Sequence, residues 1–154
     1  MGKEMTNART YFAHVLEAVD QVEVFHERAL RYMEMADSVP GFSSGMPHGT
    51  DAYSRTENYA IVLADLANDM TQRVLRLMII IDEAAGVIAQ IQSRKQRCLM
   101  RWVYFCGCSL QEAAARMCYT GSLRALQRMH ERAMEEAEKI MEKMGKAVVC
   151  RSDL

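Results

Sequence analysis

The stretch Ser109–Lys139, "SLQEAAARMCYTGSLRALQRMHERAMEEAEK", holds two helical patterns separated by about four residues around "CYTG". In the first, Ser109 stands where an N-cap should, and Glu112 three residues on completes a capping box in which side chain and backbone satisfy each other's orphan donors. Leu110, Ala113, Ala114 and Met117 make its apolar side, and the alanines let another helix cross closely. A second start follows, with Thr120 or Ser122 as the cap. The last helix then runs through Leu123, Leu126, Ala133, Ala137, Ile140 and Met144 and stops at Gly145. A short helix, a turn containing glycine and a longer helix form a helix-turn-helix pattern, which occurs both in plain helical packing and in modules that set the second helix into a major groove about 12 Å wide.

Upstream, "RKQRCLMRWVYFC" puts Cys98, Leu99, Trp102, Val103 and Cys106 on an apolar side and Arg94, Arg97 and Arg101 on another, with Gly107 ending the helix. Farther out the pattern is heptad. Tyr11, Val15, Ala18, Val22, Phe25, Ala29, Tyr32 and Ala36 form one seam, capped at its start by Thr6 or Asn7. Leu63, Ala67, Met70, Val74, Leu77, Ile81, Ala84, Ile88 and Ile91 form another on a helix opening near Thr56. The loop between them, "DSVPGFSSGMPHGTD", is rich in turn residues, and its His48 reads as an exposed loop histidine. Two such seams close on each other as an antiparallel hairpin or on a second copy of the chain. Val62, Leu66, Met78, Ile80 and Ala85 lie off the second seam, which favours cover from another copy. The expected architecture is all-α: a long helical hairpin or coiled-coil arm over 1–92 with its loop at 38–55, a helix-turn-helix domain over 93–145, and a tail at 146–154.

Composition agrees with helix throughout. Two Pro and eight Gly stand against thirteen Met in 154 residues that are 50% hydrophobic, enough for a real core. No run of about 18 apolar residues occurs and the N-terminus lacks a signal-peptide layout, so a cytoplasmic protein without a membrane partner is expected. The five cysteines, an odd number without paired C-x-x-C spacing, suit reduced thiols packed as small hydrophobes; a zinc cluster from Cys98, Cys106, Cys108 and Cys118 is the less favoured reading. No phosphate-binding loop, nucleophile elbow or zinc-protease spacing is present, so no enzyme, cofactor or metal is expected.

The charge is divided. Residues 1–90 carry seven Lys and Arg against thirteen Asp and Glu, a net of −6, whereas residues 91–154 carry twelve against seven, a net of +5. Between Arg94 and Arg132 eight basic residues face only Glu112 and Glu131. A basic excess on a helix-turn-helix pattern points to a polyanion, and to double-stranded DNA in particular. Side chains on the first exposed turns of the last helix, Ser122, Arg124, Gln127 and Arg128, are then the candidates to read bases. Arg94, Lys95, Arg97, Arg101, Thr120, His130 and Arg132 are the candidates to meet phosphates.

"CSLQEAAARMCYT" and "GSLRALQRMHERAM" resemble the corresponding C-terminal segments of small phage and prophage transcriptional regulators of the ArpU and RinA kind, whose C-terminal part is similar to region 4 of bacterial sigma factors. Aligned from the downstream segment, Ser122 stands for the family's Ser, Arg124 and Arg128 for its two Arg, His130 for its His and Ala133 for its Ala. The family's Trp and Ile in the first helix are Leu110 and Ala113 here. "GMPHGTDAYSRTENYAIVLADL" is similar, more weakly, to the loop and second-helix start of clostridial-type members. The resemblance implies a helix-turn-helix regulator that binds promoter-proximal DNA and activates phage late or packaging genes in a bacterial host cell, and it leaves contact with RNA polymerase open; the helix faces themselves point to a homo-oligomer, a dimer in the first instance. The rival expectations are a helical adaptor or structural protein and a DNA-packaging small subunit.

Overall fold

The computed structural model describes residues 8–39 and 50–144, the side chains of 50–56 excepted. Thr6, Asn7, Pro40, Gly41, His48, Gly145, Cys150 and the tail at 146–154 lie outside the described residues. Within them the protein is all-α, with five helices: α1 (Ala8–Asp37), α2 (Thr50–Ala89), α3 (Arg94–Tyr104), α4 (Leu110–Arg116) and α5 (Leu123–Lys143). Helix α2 begins at Thr50, ahead of the start expected near Thr56. No Pro or Gly lies between Thr50 and Glu57 to stop the helix from extending back, so the connection expected at 38–55 contracts to 38–49.

Both heptad seams are buried or half-buried along their described length. Tyr11, Phe12 and Val15 at the start of α1 share a core with Ala84, Val87 and Ile88 at the end of α2, whereas Phe25 lies under the Arg73 guanidinium, 5.8 Å from its ring centre. The start of the first seam therefore packs against the end of the second within one chain.

Contacts divide the chain into two compact units, Met1–Val19 with Ile79–Leu154, and Asp20–Met78. In the second, Ala29, Ala60, Leu63, Ala67, Met70, Val74 and Leu77 are buried. In the first, the hairpin end shares its core with Met100 and Tyr104 of α3 and with Ala133, Met134, Ala137, Ile140 and Met141 of α5. The boundary expected at 92/93 falls inside this unit. Phe12 sits at its centre, fully buried, its ring 5.2 Å from Tyr11 and 5.0 Å from Tyr104. The buried Tyr11 hydroxyl has no hydrogen-bond partner among the described residues, and burial with Glu83 nearby pushes its pKa up to about 12.

A second core in the same unit lies under α3, α4 and α5, where Leu99, Ala113 and Leu126 are buried, with Trp102, Leu110, Ala114, Met117 and Met129 around them. Helix α3 thus buries two sides: Leu99 faces this core, Met100 and Tyr104 face the other, and Val103 packs against both. The apolar side expected for α3 is corrected in two ways. Met100 and Tyr104 belong to a second buried side, and Cys106 is exposed because the helix ends at Tyr104, before Cys106 can continue the stripe.

Replacing Phe12 by Ala should lower the unfolding free energy by about 3–5 kcal/mol, through lost transfer energy and the cavity left beside Tyr104. Val24→Ala, at an exposed position on α1, should change it by less than about 0.5 kcal/mol. Urea denaturation of the two variants checks both values.

Candidate nucleic-acid interface

Helix α4 is short, and its ends are held by local chemistry. Ser109 Oγ accepts from Glu112 N–H at 3.2 Å, while Glu112 Oε2 accepts from Ser109 N–H at 2.8 Å, which completes the expected capping box. That backbone hydrogen bond keeps the exposed Glu112 carboxyl below its ordinary pKa.

At the other end Tyr119 N–H reaches back to the Ala114 carbonyl at 2.9 Å and Cys118 N–H to that of Ala115 at 3.2 Å. This closure places one residue in the left-handed region, usually glycine. Here it is Cys118, with φ +52°, and the glycine of the turn serves otherwise. A Cβ on Gly121 would collide with the Tyr119 hydroxyl and ring edge, so glycine lets Tyr119 fold over the turn. Of the two candidate caps for α5, Ser122 acts, its Oγ accepting from Ala125 N–H at 3.2 Å.

Helix α5 buries Leu126 and Ala133 and leaves Arg124, Gln127, Arg128 and Arg132 exposed, the arginines in steps of four on one stripe. Ser122 and Thr120 are exposed in the turn that leads into it. On α3, Arg94, Lys95 and Arg101 are exposed as well. Arg97 behaves differently: its Nη1 donates to the Ile91 carbonyl and, at 2.9 Å, to that of Gln92. It fastens the α2–α3 connection, aided by Glu136 of α5, whose Oε1 accepts from Gln92 N–H at 2.8 Å. Arg116, outside the candidate set, lies over the Trp102 ring, 5.5 Å from its centre.

His130 also turns inward. Its Nε2 is 2.9 Å from the Tyr104 hydroxyl, and the two rings stack. Burial, then the positive charge of Arg9, hold its pKa below 6.5 against a smaller opposing effect from Glu131. Burial raises that of Tyr104. His130 is therefore neutral at pH 7 and adds no charge to the exposed stripe.

Among the described cations of α1 and α2 some are paired and others, Arg28 and Arg76, are not. On α1 and α2, Arg31 pairs with Glu27 at 2.8 Å and Arg73 with Asp69 at 3.8 Å. Among the described residues, Arg94, Lys95, Arg101, Arg124, Arg128 and Arg132 have no carboxylate within ion-pair distance. These six cations face solvent unneutralised and leave a positive field over α3 and the first half of α5.

No group of three or more His, Cys, Asp or Glu that could hold a metal occurs among the described residues. The expectation of packed cysteines is corrected: Cys106 and Cys118 are exposed, while Cys98 and Cys108 are only half-buried. Both exposed thiols lie just past helix ends, where the apolar stripe no longer directs side chains inward. No described helix is long and apolar enough to cross a membrane. The chain matches no protein-family model, no curated protein and no solved structure.

Two measurements check this local chemistry. Cys118→Gly should raise stability by up to about 1 kcal/mol, since glycine adopts the left-handed conformation without strain, and β-branched Cys118→Val should lower it; thermal melts read both. His130, with its folded pKa depressed, contributes stability that is present above its unfolded pKa of about 6.5 and is lost as pH falls through that value toward the folded one. Between pH 7 and 5 the wild type should therefore lose more stability than His130→Gln, which can still hydrogen-bond Tyr104 but does not titrate. Equal losses would contradict the assignment.

Proposed function

We propose that the chain is a sequence-specific DNA-binding transcription regulator, acting as a homo-oligomer in the cytoplasm of a bacterial host on phage or prophage late or packaging genes. The observation that carries the reading is the set of six exposed cations without an ion pair among the described residues on α3 and the first half of α5, on a chain whose net charge is only −1. Unpaired guanidinium groups on one helical stripe suit a polyanion, because binding exchanges condensed counterions for fixed protein charge. The α4–turn–α5 arrangement supports duplex DNA over other polyanions: a short braced helix precedes a longer one whose first exposed turns carry Arg and Gln, the side chains that form bidentate contacts with guanine and adenine. The phage setting rests on the resemblance of "CSLQEAAARMCYT" and "GSLRALQRMHERAM" to regulators of the ArpU and RinA kind.

Within this reading Arg124, Gln127 and Arg128 read bases. Ser122, which caps α5, stands with them at the start of the helix, and Arg94, Lys95, Arg101 and Arg132, with the Thr120 hydroxyl of the turn, meet phosphates. Arg97 and His130 act inside the fold. A helical adaptor or a DNA-packaging small subunit is the second reading, favoured by the apolar side chains exposed on α2. A packaging subunit would also bind DNA, but with little preference for a regulatory site.

Binding to the duplex upstream of the protein's own gene should weaken steeply with salt: release of counterions from about five phosphates gives a log–log slope near −4 to −5. Arg124→Ala or Arg128→Ala should cost about 1–3 kcal/mol on the cognate site and much less on random duplex, whereas Arg94→Ala or Arg101→Ala should weaken both almost equally. Fluorescence anisotropy across a salt series measures all of these. A flat salt response would remove the reading.

A further inference from the structure

We propose that a second copy of the chain docks antiparallel along the outer face of α2 between Ile61 and Met78. The surface belongs to the homo-oligomer of the reading above, and the test contains no DNA, so the two can fail separately. The inner seam of α2 is spent against α1. Round the helix from it run Ile61, Ala64, Asn68, Thr71, Leu75 and Met78, in steps of 3, 4, 3, 4 and 3, all exposed. Ile61, Leu75 and Met78 keep 48%, 50% and 47% of their surface in solvent. A mean step of about 3.5 residues keeps such a seam facing one straight partner helix over its whole length.

The order of residues along the seam selects the partner. Turned end for end about its own midpoint, the seam meets itself with Ile61 against the partner's Met78, Ala64 against the partner's Leu75 and Asn68 against the partner's Thr71, each contact made twice. Large side chains meet small ones, and the two polar positions meet each other, where an amide and a hydroxyl can hydrogen-bond. A single Asn in such a seam fixes register.

Charge agrees. Asp65 and Arg76 are both exposed, lie along the same edge of the seam, and have no ion pair among the described residues. In the antiparallel register Asp65 stands within two residues of the partner's Arg76 on the same edge, again twice, near enough for the long arginine side chain to reach it. Leu30 and Met33 of α1, 48% and 53% exposed, add apolar surface in the same compact unit. A strip about 25 Å long and about 20 Å wide, two helix diameters, gives on the order of 500 Å² per copy, which reaches the floor of about 1,000 Å² in total for a specific interface.

Sedimentation velocity of the full chain over roughly 1–100 µM, the range for a modest assembly, tests the surface. The wild type should pass from monomer to dimer. Leu75→Glu, at a solvent-facing position, should remain monomeric throughout with unchanged helical circular dichroism. Asp65→Arg and Arg76→Asp should each raise the dimer Kd at least about threefold, and the double reversal should restore it to within about twofold, a coupling expected of a close charge pair. A wild-type monomer at the highest concentration would overturn the proposal. So would a dimer untouched by Leu75→Glu, or a double reversal that fails to restore affinity.

Discussion

Helix α3 has to bury two sides at once, and the first compact unit depends on it. On one side Leu99 closes the small core with Ala113 and Leu126; on the other, Met100 and Tyr104 reach the core built on Phe12, Ile88 and Ala137. Eleven residues thereby join the helices that present the basic surface to the ends of the long hairpin. The join is reinforced by polar contacts: Ser93 caps α3, Arg97 holds the carbonyls of Ile91 and Gln92, and Glu136 accepts from Gln92 N–H. A helix held on two sides has little freedom to rotate, so the exposed side that carries Arg94, Lys95 and Arg101 is fixed by what the other sides bury.

The same packing sorts the cations by task. Arg97 and His130 lie among the basic residues of the sequence, yet both turn inward, one to backbone carbonyls and one to the Tyr104 hydroxyl. Arg116 rests on Trp102. The remainder, on α3 and the first half of α5, stay exposed and unpaired. The carboxylates of α5 begin at Glu131 and gather in its later turns, past Arg124 and Arg128. Its N-terminal half, where the helix dipole is also positive, is therefore the half suited to a phosphate backbone.

Much of this was legible because it is local. Helix caps depend on residues three positions apart, so Ser109, Glu112 and Ser122 could be named from the sequence. The heptad seams could be named because burial of a long helix repeats with its own period. Exposure of Arg124, Gln127 and Arg128 followed from the same periodicity. The inward turn of Arg97 and His130 was not legible, since it depends on Ile91, Gln92 and Tyr104, which only the folded chain brings near. The second side of α3 was hidden for a similar reason: a helix between two cores has no single apolar stripe, and Met100 and Tyr104 fell outside the one chosen. The left-handed conformation of Cys118 was not legible because cysteine carries no local preference for it.

The central claim is that the first turns of α5 face duplex DNA, and amide hydrogen exchange tests it most directly. The full chain would be compared alone and with excess duplex carrying the region upstream of its gene. The account predicts slowed exchange concentrated in the turn at 118–122 and the first half of α5, with no change over 57–78 of α2. Exchange left unchanged through α5 while DNA is bound, or protection confined to the long hairpin, would contradict it.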